Sequence, residues 1–243
     1  MTTQVANIQA NVAAVKARID AACARASRAP DAVTLVAVSK KKPLAFIQEA
    51  HAAGILHFGE NRLEEATEKI PQGAPEMHWH MVGHIQSRKA KTAVVAGFHL
   101  VHSLDSLKLA QRLARFAAEM DVRVPVLLEV NISGEQNKSG WAAEDWAQDG
   151  DQRTALWADV AEIARLPALE VRGLMTMAPF ADNPETTRPV FRELARLRAA
   201  LATDFPNMAW SELSMGMTND FEIAIEEGAT LVRIGRAIFG ERA

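Results

Sequence analysis

The stretch Val33-Thr34-Leu35-Val36-Ala37-Val38-Ser39-Lys40-Lys41-Lys42-Pro43 decides how the rest of the chain is read. A run of β-branched and apolar residues stops at three lysines and a proline, and a helix-length segment with a charged face, Pro43 to Ala53, follows. This is the pattern of a strand, a short turn and a helix. Side chains alternate across a strand, so Val36, Val38 and Lys40 share one face, and a Val38 turned toward a core carries Lys40 to the end of that face. A solvated basic turn leading into the helix accounts for the lysines as well.

Working outward, the same unit recurs. Apolar or β-branched runs appear at Leu56–Gly59, Met77–Val82, Phe98–Ser103, Pro125–Asn131, Val171–Met177, Glu212–Met215 and Thr230–Ile234, with helix-length segments such as Ser106–Met120 and Pro184–Leu201 between them. Strict alternation of strand and helix implies parallel pairing with right-handed crossovers. Eight units predict an α/β fold, a single (β/α)8 TIM barrel over residues 1–243. An open doubly wound sheet is the competing architecture, because periodicity does not report closure. Ahead of the first strand, Val5, Ile8, Val12, Val15, Ile19 and Ala22 recur at helical spacing, which predicts an additional N-terminal helix within residues 1–28 packed on the barrel. The longest irregular stretch, Ser133 to Gln152, is expected to loop over the barrel mouth.

Composition narrows the function classes. The 243 residues are 49% hydrophobic, enough for a full barrel core, and 27 basic against 30 acidic residues are interspersed, so no basic face for nucleic acid is expected. A single cysteine, Cys23, forms no internal disulfide and reads as a buried thiol. The first residues lack a signal-peptide pattern, and no run of about 18 apolar residues occurs. A cytoplasmic monomer that contacts no membrane is the expectation.

Barrels of this kind carry their functional groups at the carboxyl ends of the strands. The seventh run ends Leu213-Ser214-Met215-Gly216-Met217-Thr218 and the eighth Leu231-Val232-Arg233-Ile234-Gly235-Arg236. Ser214 offers a hydroxyl, and Gly216 and Gly235 let backbone N–H groups approach an anion. Arg233 sits in an apolar run and needs an acceptor: a carboxylate, a phosphate or a pyridine nitrogen. Asn61, three residues before Glu64, reads as a capping box for a helix from Leu63, although a cap can also face a ligand. His78-Trp79-His80 places two imidazoles on one face, the basis of a second reading as a metal-dependent hydrolase. Supporting carboxylate ligands are missing there, so no metal is expected, and His51, His57, His99 and His102 read as structural.

Taken together, Ala37-Val38-Ser39-Lys40, Phe58-Gly59-Glu60-Asn61, His80-Met81-Val82-Gly83-His84-Ile85-Gln86, Gly173-Leu174-Met175, Leu213 to Met217 and Val232 to Gly240 closely resemble the pyridoxal phosphate homeostasis protein family, whose bacterial members include the YggS proteins. The resemblance implies an alanine-racemase-like barrel standing alone, with pyridoxal 5′-phosphate (PLP) as a Schiff base on Lys40 rather than on Lys41 or Lys42. It implies phosphate contacts at Ser214, Met215, Gly235 and Arg236, a ring or phosphate contact from Arg233, and Asn61 beside the cofactor. It also implies a role in vitamin B6 homeostasis, with PLP-dependent apoenzymes as recipients. Two positions depart from the family pattern: Arg88 replaces a common Asn, and Arg236 a small hydroxyl residue.

Alanine racemases share this barrel and use two bases, the PLP lysine and a tyrosine from a second domain. This chain contains no tyrosine, and it ends three residues after Gly240, too soon for such a domain. The expectation is therefore a carrier without substantial turnover, with an amino-acid racemase-like enzyme as the alternative.

Overall fold

The computed structural model describes residues 7–240. Among these residues nine strands form: β1 (Thr34–Val38), β2 (His57–Glu60), β3 (His78–Met81), β4 (Leu100–Leu104), β5 (Val124–Asn131), β6 (Trp141–Ala142), β7 (Leu169–Met175), β8 (Glu212–Ser214) and β9 (Leu231–Ile234). Eight of them pair in parallel in the order β4-β3-β2-β1-β9-β8-β7-β5, and pairing of β4 with β5 closes the ring. Closure settles the choice left open by periodicity: the fold is a (β/α)8 barrel. Its helices are α1 (Ile8–Arg25), α2 (Leu44–Ala52), α3 (Leu63–Lys69), α4 (Ala90–Ala96), α5 (Leu107–Glu119), α6 (Gly150–Ala164), α7 (Arg188–Asp204), α8 (Phe221–Glu226) and α9 (Arg236–Phe239). Among the described residues no helix is long and apolar enough to cross a membrane.

Strand parity sorts the side chains into two compartments. Outward residues such as Ala37, Phe58 and Val232 join the helices in the large core, while Val36, Leu100, Leu127, Met175 and Leu231 form a separate apolar cluster. The alternation read from Val36 and Val38 is therefore the one the barrel uses. The two compartments leave polar inward positions at His80, His102, Ser214 and Arg233, all buried.

Helix α1 buries Ile8, Val12, Val15, Ile19, Ala22 and Cys23; Val5 lies outside the described residues. Asn7 caps its amino end through a bond to the Ala10 N–H. The Asn11 amide donates to the Ile238 carbonyl at 2.9 Å, and Arg18 and Arg25 pair with Glu222 and Glu226 of α8. The extra helix thus braces α8 and α9, whose amino ends face the site described below.

Two expectations need correction. Arg62, not Asn61, stands at the N-cap of α3, and it makes no side-chain capping bond. The Asn61 backbone packs so closely on Gly83 that a Cβ there would lie 2.1 Å from the Asn61 carbonyl oxygen, so Asn61 stays in the turn just past β2 and the helix begins later. The stretch Ser133 to Gln152 is also less irregular than expected: Trp141 and Ala142 pair with Val130 and Asn131, and α6 begins at Gly150 under an Asp149 cap. Two residues of strand are too few to show as a period.

Candidate functional site

At the carboxyl end of the barrel lies a cavity of about 590 Å³ lined by Lys40, Asn61, Arg233, Gly235 and Arg236, among others. That volume falls in the range of about 300–1,000 Å³ common to small-molecule sites. Among the described residues its charged lining is five cations, Lys40, Lys42, Lys138, Arg233 and Arg236, against one carboxylate, Asp220. Charge of one sign in a concave, partly dry setting concentrates anionic ligands.

The three lysines part company at the turn after β1. Lys40 is half-buried and lines the cavity. Lys41 adopts a left-handed backbone with φ of 59°, is exposed, and lies outside the lining. Lys42 reaches the lining, but its ammonium donates to the Phe239 carbonyl at 2.9 Å. The turn itself is pinned from below. Glu60 is fully buried and accepts from the Ser39 hydroxyl at 2.7 Å and from Lys69 at 2.7 Å. Lys69 also donates to the Ser39 carbonyl at 2.9 Å and to Glu65 at 2.6 Å, and Glu65 accepts the Lys41 N–H at 2.5 Å. Burial pushes the Glu60 carboxyl up despite Lys69 and Ser39. The sequence reading missed this network; the i, i+4 pair Glu65–Lys69 was visible, but its burial was not.

On the opposite rim, Arg233 finds acceptors within the protein. It donates to the Ser214 hydroxyl at 2.5 Å and to the Thr176 carbonyl at 2.9 Å. Burial lowers its pKa to about 10, against the pull of Asp220 and Glu129, so it remains a cation at neutral pH. The expected external acceptor is therefore not required for its burial, although Arg233 still lines the cavity. Ser214 and Met215 are fully buried and are not among the lining residues; the Ser214 hydroxyl is committed to Arg233 and to His102 at 2.8 Å. Gly216, with φ of 89°, also stays out of the lining, and a Cβ there would come within 2.6 Å of Ala224. Its role is to let α8 dock. Residues that the sequence reading did not single out, Thr218, Asn219 and Asp220, take the rim instead, and Asp220 accepts the Met217 N–H at 2.6 Å. Gly235 opens α9 with no side-chain cap, its Cβ position 3.1 Å from the Val38 carbonyl, and exposed Arg236 donates to Asn219 at 3.3 Å.

Asn61 lines the cavity, whereas Arg88 is exposed, bonds Gln86 at 3.0 Å and lies outside it. From the long connection after β5, Lys138 reaches in and donates to the Met177 carbonyl at 2.8 Å, so that segment does close one side of the mouth. Among the described residues the lining includes no histidine and no cysteine; Cys23 is buried in α1.

The histidines do not follow the sequence reading. His80 bonds His57 at 2.9 Å and His102 at 2.8 Å, so His57 and His102, read as structural singles, belong to one chain with it. Sequence separation hides this grouping, which depends on neighbouring strands being in register, His57 opposite His78.

These residues fit a phosphate ester that also carries an aldehyde. The cavity offers a lysine for the carbonyl group, cations and the start of α9 for the phosphate, and at Gly235 a wall position where a Cβ would lie 3.1 Å from the Val38 carbonyl. The model of the alanine racemase N-terminal domain family matches residues 6–243. Two curated relatives, both called pyridoxal phosphate homeostasis protein, come from Pseudomonas aeruginosa, 42% identical and covering 98% of this chain and 97% of the relative, and from Aquifex aeolicus, 40% identical and covering 93% and 94%. Among solved structures, PipY of Synechococcus elongatus with PLP bound matches with a TM-score of 0.81 and 35% identity over 96% of this chain and all of that one. An alanine racemase of Clostridium difficile shares the fold alone, with a TM-score of 0.70 at 13% identity, this chain spanning 57% of it.

Proposed function

The chain belongs to the pyridoxal phosphate homeostasis protein family, built on the alanine racemase N-terminal barrel, and from that premise we propose that it binds PLP covalently through Lys40 and buffers or delivers it inside the cell. The observation that carries this reading is Lys40 just after β1, facing a cavity whose charged lining, among the described residues, is five cations to one carboxylate. The Lys40 amine would bond the aldehyde carbon. Gly235, Arg236 and the Thr218–Asn219 rim would hold the phosphate, in place of the Ser214 and Met215 positions expected from the family pattern. Arg233 would face the ring, and Asn61 lies on the wall beside Lys40.

When bound, PLP supplies an electron sink for chemistry on amines, and its strength depends on protonation of the ring nitrogen. Arg233 stays charged and can only donate, so a ring nitrogen facing it would stay unprotonated. Among the described residues the lining offers no tyrosine, histidine or cysteine as a second base, and its one carboxylate, Asp220, accepts the Met217 N–H through Oδ1. These features favour a carrier over a racemase, with PLP-dependent apoenzymes as the recipients.

The test is a PLP titration followed by absorbance, run beside a turnover assay on amino acids. Wild-type protein should take up one equivalent with a change in the visible spectrum, and Lys40→Ala should lose that change. Sustained racemisation or transamination at enzymatic rates would refute the carrier reading.

A further inference from the structure

The opposite end of the barrel carries side chains that the cofactor cavity does not use. His57 opens β2, His78 opens β3, and His99 directly precedes β4. Their rings cluster, with centroids 4.8 Å apart for His57 and His78 and 4.5 Å for His78 and His99, and the His80 ring lies 5.3 Å from that of His99. One ring nitrogen from each of His57, His80 and His99 lies within 4.8 Å of the others. A cleft of about 340 Å³, lined by His78, His99, Trp79 and Gly97 among others, opens beside them.

We propose that His57, His80 and His99 form a binding site for a divalent transition-metal ion of the zinc class at the amino-terminal end of the barrel. Three imidazoles without carboxylate oxygens select borderline ions, Zn²⁺, Co²⁺ or Ni²⁺, over Mg²⁺ and Ca²⁺. Metal–nitrogen bonds of about 2.0–2.1 Å place ligand atoms roughly 3.3 Å apart in a tetrahedron. The 2.9 Å contact between His57 and His80 must open by a few tenths of an ångström, and His99 must close by ring rotation. Burial first, then the neighbouring imidazoles and, at His99, Arg172, hold His57, His80 and His99 below the ordinary imidazole range, which agrees with rings whose lone pairs are available. The nearby cation Arg172 is paired with Glu170 at 2.8 Å.

A built second shell distinguishes this cluster from a chance grouping. A ligating histidine is oriented by a bond from its other nitrogen, and His80 has one: Nδ1 meets His102 Nε2 at 2.8 Å, and His102 Nδ1 meets the Ser214 hydroxyl at 2.8 Å. With metal on His80 Nε2, the Nδ1–H donates to His102, and the His102 Nδ1–H donates to Ser214. The ion would tie together the starts of β2, β3 and β4.

The experiment is a Co²⁺ titration of tag-free protein, read by visible absorption, with Zn²⁺ affinity measured by calorimetry. One Co²⁺ per chain should bind with the intense bands of a tetrahedral site, displaced by Zn²⁺. His99→Ala, a change at the strand entrance, should weaken both metals at least about 10-fold while retaining PLP uptake, which shows that the barrel is intact. His84→Ala, outside the cluster, should bind as wild type. No saturable uptake, or affinity unaltered by His99→Ala, would overturn the assignment.

Discussion

At the scale of single residues, placement depends on what surrounds a group more than on its type. Lys69 is the partner that makes a buried Glu60 tolerable, and Lys69→Met would strand that carboxylate beneath the Lys40 turn. A loss of about 3–5 kcal/mol is expected in urea unfolding at pH 7, with most of it recovered in the Glu60→Gln, Lys69→Met double variant; equal stabilities of the single and double variants would argue against the network. Glu129 gives a pH-dependent case. Burial, and secondarily Asp105, raises its pKa from 4.5 to about 7. The folded state then holds a proton that the unfolded chain releases above about pH 4.5, so this group's contribution to stability is complete below that pH and is lost as pH rises to about 7 and just beyond. At about 1.4 kcal/mol per pKa unit the loss is of order 3 kcal/mol, and Glu129→Gln should flatten the unfolding free energy between pH 5 and pH 8 by a comparable amount. Parity in Val36-Ala37-Val38 was enough to aim Lys40 from the sequence, because a two-residue period is a local property. The commitment of Ser214 to Arg233 and His102 was not legible, because it joins β8, β9 and β4 across the barrel interior.

At the scale of elements, the rim of the cavity depends on where short helices dock. Gly216 holds φ at 89°, and any Cβ there meets Ala224 and Phe221 of α8. Gly216→Ala should therefore displace α8 and the Thr218–Asp220 rim, lowering the melting temperature by several degrees and weakening PLP uptake at least 10-fold in the titration above. Retention of both properties would show that α8 does not set the rim. Strand and helix order could be read from the sequence because each unit has its own period. The capping box at Asn61 misled for a physical reason: its spacing suits a cap, but contact with Gly83 holds Asn61 in the turn just past β2, where it lines the cavity. The α1 stripe was equally legible, since Ile8, Val12, Val15 and Ile19 repeat at the helical period.

At the scale of the molecule, the barrel separates its two ends. Cations and the Lys40 turn occupy the carboxyl end, imidazoles the amino end, and the chain from His57 through His80, His102 and Ser214 to Arg233 links them. The carrier reading rests on the carboxyl end, where Lys40, Arg233 and Arg236 line one cavity. The central claim is that Lys40 is the point of attachment. Borohydride reduction of PLP-loaded protein, followed by peptide mass mapping, tests it most directly: the account predicts a pyridoxyl group on Lys40 in about one equivalent, and a pyridoxyl group on Lys41 or Lys42, or none on this turn, would contradict it.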